Sequence, residues 1–164
     1  MTNWPEIIET FFQLSDPEHE FRHIALPGVA KAAIGEVESK LNLSLPQELQ
    51  DFYLVSNGIG LASGEEPDEP RFIPSLEKLP AFVKACRASF SETHPIFAER
   101  YLPCIDWENG DSTGFLMDRE GEYLPQLFTF SHEPYSYDSA QDVNDFLQPS
   151  AEGIADLLTP NEES

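Results

Sequence analysis

The period of the apolar positions changes near residue 101: upstream they recur at helical spacing, downstream they fall in short runs bounded by turn signals. Ile7, Ile8, Phe11 and Phe12 follow Trp4-Pro5 as an i, i+1, i+4, i+5 stripe, which predicts a short amphipathic helix. Ser15-Asp16-Pro17 opens a polar connection, with one more helical turn expected through His23. Val29, Ala33, Ile34, Val37 and Leu41 mark a second helix, and Leu49, Phe52 and Tyr53 a third. Pro46 suits the first turn of that third helix, where a backbone N–H has no intrahelical partner. Asn57-Gly58 reads as its stop, because Gly accepts the left-handed conformation that caps a C-terminus. Residues 59–70 are rich in Gly, Pro and Glu, which predicts an exposed loop. Arg71–Pro74 reads as a short strand. Ser75 reads as the N-cap of a helix carrying Leu79, Phe82, Val83, Cys86 and Phe90.

Beyond residue 101, Leu102–Trp107, Ser112–Met117 and Tyr123–Phe130 read as three strands. Asn109-Gly110 predicts a two-residue type I′ hairpin, which needs positive φ at both centres. Asp118–Gly121 is the second turn, and together they predict an antiparallel meander. Ser139–Leu147 is expected as a closing helix ended by Pro149, and Ile154–Leu158 as one further turn. Asn161–Ser164 should fray. Helices, then strands, then a helix predict an α+β domain, an antiparallel β-sheet with helices packed on one face.

Taken in order, these pieces resemble a known family. They are Leu45-Pro46 with Asn57-Gly58, Phe72-Ile73-Pro74-Ser75-Leu76, Leu102–Trp107 with Asn109-Gly110-Asp111, and Asp138-Ser139 with Val143, Phe146 and Leu147. Their order and spacing resemble the SUKH superfamily, the Smi/Knr-type proteins that include many bacterial immunity proteins. The resemblance covers residues 29–147. Residues 1–28 would be an N-terminal helix and connection, and residues 148–164 a C-terminal turn and flexible tail. The resemblance implies a binding protein rather than an enzyme. Many family members neutralise a cognate toxin, often a nuclease, delivered between competing bacteria; others are eukaryotic regulatory hubs.

Charge sharpens the picture of the partner. Thirty acids face nine bases among 164 residues, a net charge of −21. Residues 1–100 hold sixteen acids and eight bases; residues 101–164 hold fourteen acids and one base, Arg119. Nucleic acid is disfavoured as a direct partner, because phosphates need cations. A basic protein domain suits this surface, and a nuclease toxin needs a cationic groove that an acidic inhibitor can fill. Acidity also serves solubility. No apolar run approaches the roughly 20 residues of a membrane helix. The N-terminus lacks the early Lys or Arg of a signal peptide, so a cytoplasmic protein is expected. Cys86 and Cys104 lie in apolar surroundings and read as reduced core thiols.

Candidate chemistry is sparse. His19 and His23 have a spacing that binds metal on a helix face, but no third ligand is evident, and an exposed polar turn is the plainer reading. Asp106, Glu108 and Asp111 cluster around Gly110 and read as turn chemistry, a partner-binding patch or, least of all, a Mg²⁺ or acid–base pair. Trp107 alternates with them and is expected in the core. Glu120 and Glu122 extend the acidic set at the second turn. Tyr135 and Tyr137 are aromatic anchors or local packing. No G-x-S-x-G, C-x-x-C, Walker or dinucleotide motif is present, so no catalytic residue, metal or cofactor is expected. Three classes remain open: an immunity protein, a regulatory scaffold with several partners, and a metal-dependent hydrolase.

Overall fold

A computed structural model describes residues 2–160. Helix α1 (Trp4–Ser15) is capped by Asn3, whose side chain accepts from the Glu6 N–H, and it buries Trp4, Ile8, Phe11 and Phe12. The chain then turns at Asp16 and enters strand β1 (Arg22–Pro27), where a helical turn was expected. Pairing with a second strand, rather than the local sequence, makes this segment extended, and Ile24 is its buried member. Helices α2 (Lys31–Leu41) and α3 (Gln47–Val55) lie where the apolar spacing places them, and Leu49, Phe52 and Tyr53 are fully buried.

The end of α3 differs from the expectation. It stops at Val55, and Asn57 and Gly58 lie inside strand β2 (Ser56–Ala62), paired antiparallel with β1. Gly58 does have positive φ, at +102°, but for a different reason: the strand passes tightly against Pro70 and Ile73. Asn57 accepts the Leu76 N–H with its side-chain oxygen at 2.7 Å. It therefore starts the short 3₁₀ turn at Leu76–Lys78, the role expected of Ser75, whose side chain makes no capping bond. Arg71–Pro74 contributes one bridge, Ile73 to Ile59, rather than a strand. Helix α4 (Leu79–Ala88) follows, then α5 (Pro95–Arg100), which the sequence reading missed.

Strands β3 (Tyr101–Asp106), β4 (Ser112–Met117), β5 (Tyr123–Phe130) and β6 (Leu147–Pro149) form a four-stranded antiparallel sheet in chain order. The expected helix over 139–147 is a correction: only Val143–Asp145 makes a 3₁₀ turn, and Leu147–Pro149 pairs with β5. Asp138 and Asp142 accept N–H bonds from Ala140 and Asn144, and such local bonds compete with helix formation. The fold is α+β with antiparallel sheets.

Strand alternation divides the core. Leu102, Phe115 and Leu127 join the large cluster built by α1, α2, α3 and α4, while Tyr101, Leu116 and Phe128 join a second cluster around Phe90, Phe130 and Phe146. Both terminal segments are part of the large cluster. Helix α6 (Ile154–Leu158) buries Ile154 and Leu158 there, and Glu48 of α3 accepts the Ile154 and Ala155 N–H groups at its N-terminus. The fraying expected of Asn161–Ser164 lies outside the described residues. No helix among the described residues is long and apolar enough to cross a membrane.

Candidate interaction surface

Antiparallel pairing sorts the acidic residues by the end of the sheet they occupy. Ser112 pairs with both Asp106 and Phe130, and Phe130 with Leu147. The β3–β4 turn and the 131–146 loop therefore share one end of the sheet. The β4–β5 turn is at the other end, a strand of six residues away, or about 20 Å. Asp106, Glu108, Asp111, Tyr135 and Tyr137 fall at the first end; Glu120 and Glu122 fall at the second. The structure does not make one patch of them.

At the first end, the Asn109-Gly110 hairpin is five residues long rather than two. Positive φ falls on Glu108 (59°) and Gly110 (99°), not on Asn109. Side chains hold this longer turn. Asp106 accepts the Glu108 N–H at 2.8 Å, and Asn109 accepts the Asp111 N–H at 2.9 Å. Asp111 accepts from both the backbone N–H and the imidazole of His132, tying the turn to the 131–146 loop. Asp106 and Asp111 are thus engaged in turn geometry. Among the described residues, a group of three metal-ligating side chains occurs at Asp16, His19 and His23 instead.

Trp107 is not in the core. Strand pairing ends at Asp106, so alternation no longer directs the next side chain inward, and Trp107 is 42% exposed. Its orientation is nevertheless fixed. The indole N–H donates to Thr113 Oγ1 at 2.8 Å, and the ring sits edge-on to Phe72 at 5.1 Å. Trp107 forms one wall of an apolar groove of about 370 Å³, opposite Phe11, Leu14, Phe72 and Leu157, with Glu108 at its rim. These side chains come from four separate segments. Leu14, exposed and one turn after Phe11, was the only local signal of an apolar surface there.

The two tyrosines separate. Tyr135 is 6% exposed, bonds to Thr93 and packs on Phe130 and Phe146. Tyr137 is 76% exposed at positive φ. The 107–111 turn and the 131–146 loop carry six acids between them (Glu108, Asp111, Glu133, Asp138, Asp142, Asp145) and no Lys or Arg.

The second end is different in character. Asp118 accepts the Glu120 and Glu122 N–H groups, and both acids border a depression of about 1040 Å³. That depression also holds Arg87, Arg100 and Arg119, so charges of both signs meet there. Both cysteines are inert by environment: burial pushes the Cys86 thiol up to about 11 and the Cys104 thiol higher still.

The architecture defines a class: a small α+β domain with an acidic end and an apolar groove. The chain belongs to the SMI1/KNR4 family (SUKH-1), whose model matches residues 28–148. Family membership supports an immunity-type role in general terms. No curated protein matches the chain.

Proposed function

We propose that the chain is a non-catalytic immunity protein that captures a basic toxin domain on the Trp107 end of its sheet. The observation that carries this reading is the exposed Trp107 ring over an apolar groove, beside loops that hold acids and no bases. Trp is enriched among residues that dominate binding energy, and a rim of one charge selects a partner of the other. The proposed occupant is a cationic domain that inserts an apolar side chain beside Trp107. A nuclease fits this description, since its substrate groove must be positive. The larger depression at the other end suits such a partner less, because its arginines offset its acids.

The test uses a cognate toxin domain, purified as an inactive variant. Trp107→Ala should weaken binding by about 2 kcal/mol, chiefly by faster dissociation. The free protein should keep its unfolding free energy to within about 1 kcal/mol, since the ring is 42% exposed. Unchanged toxin affinity in this variant would move the interface elsewhere.

A further inference from the structure

The connection between α1 and β1 brings together three side chains that sequence spacing alone did not unite. Asp16 follows the last residue of α1, His19 lies in the connection and His23 is the second residue of β1. Their ligand atoms all lie within 4.8 Å of one another. We propose that Asp16, His19 and His23 form a binding site for a transition-metal dication of the Zn²⁺ type.

Two of the three are held before any ion arrives. Asp16 is 4% exposed, and its carboxylate accepts the Glu20 N–H at 2.8 Å and the Phe21 N–H at 3.0 Å. Its Oδ2 also meets His23 Nε2 at 2.9 Å. The His23 ring is held on one face by stacking on Phe12 at 4.6 Å, and the exposed His19 ring lies over its other face at 4.5 Å. A dication replaces the proton between Asp16 and His23. Two donors on one tetrahedral ion stand about 3.4 Å apart, given bonds near 2.1 Å. Rotation of the exposed His19 supplies the remaining approach. His19 occupies φ of +57°, which turns the chain back on itself and brings its ring over His23.

The donor set decides the class of ion. Two imidazoles and one carboxylate suit zinc and its neighbours, whereas Mg²⁺ and Ca²⁺ prefer oxygen. The imidazoles line a shallow cleft with Glu9 and Gln13, so the fourth position opens to water or to Glu9. All three ligands precede residue 28, outside the family-matched segment. An ion there would clamp α1 to β1.

The test is calorimetric titration of the full chain with Zn²⁺, and Co²⁺ absorbance as a readout of tetrahedral geometry. One ion per chain is expected. His19→Asn removes the imidazole but keeps a residue that tolerates positive φ, so folding is preserved. It should weaken binding at least about tenfold and abolish the Co²⁺ spectrum. Zn²⁺ should raise the melting temperature of the wild type and not that of His19→Asn. His132→Asn, which alters the Asp111–His132 pair at the far loop, should bind as the wild type does. No saturable binding by the wild type, full binding by His19→Asn, or lost binding in His132→Asn would each overturn the proposal.

Discussion

At Gly58 the conformation of one residue joins two parts of the chain. It has φ of +102°, and a Cβ there would lie 2.7 Å from the Ile73 carbonyl oxygen and 2.8 Å from the Pro70 ring. The close approach permits the Ile59–Ile73 bonds that seat the 70–74 segment against β2. Gly58→Ala should therefore cost about 2 kcal/mol, combining the left-handed penalty with displacement of Pro70. Chemical denaturation measures it, and an unchanged midpoint would contradict this geometry. Trp107 shows the reverse case, in which the same strand rule that buries Ile105 loses its hold one residue beyond the ladder.

Among elements, the loop expected over 59–70 is shorter: residues 59–62 belong to β2, with Ile59 and Ala62 buried, and only residues 63–68 are exposed, yet these are tied down. Arg22 on β1 bonds Asp68 and the carbonyls of Gly64 and Glu66, while Glu66 accepts from Ser63 and Arg71. The Ser63 hydroxyl and N–H, with Arg71 adding to them, hold the Glu66 carboxyl below its ordinary value of 4.5. A depressed folded value means that stability is fully present above pH 4.5 and is lost as pH falls through the folded value. Glu66→Gln should thus be less stable than the wild type at neutral pH, and the gap should close on acidification. Urea midpoints of both proteins across that range test it. The loop is solvent-exposed, so the effect is small and screened by salt.

For the whole molecule, charge is distributed by topology. A net charge of −21 creates a long-range field, but salt shortens its reach to about 8 Å at physiological strength. Only charges near the interface then steer a partner. Charge reversal at Glu108 and Glu133 should slow toxin association strongly at low salt and weakly at high salt. Reversal of Glu120 and Glu122, at the opposite end, should leave the rate near that of the wild type. Stopped-flow association at two ionic strengths separates these outcomes. A larger effect from the second pair would place the partner over the Arg87 depression.

Local rules were enough where each residue's neighbours along the chain determine its environment. The stripe Ile8, Phe11 and Phe12 gave α1, the spacing of Leu49, Phe52 and Tyr53 gave α3, and short apolar runs between turn residues gave β3, β4 and β5. The order of motifs was enough to place the chain in its family. Tertiary contacts decided the rest. Ser139–Leu147 has helical apolar spacing, but an open edge of β5 offered Leu147–Pro149 a ladder, and aspartate side chains took the N–H groups upstream. His23 became a strand residue because β2 supplied its partner, and that pairing is what placed Asp16 beside it. The groove at Trp107 needed four segments to meet, and the separation of Glu108 from Glu120 needed the direction of β4. Spacing along a chain describes one face of one element, whereas a site is made by faces of different elements, which only packing brings together.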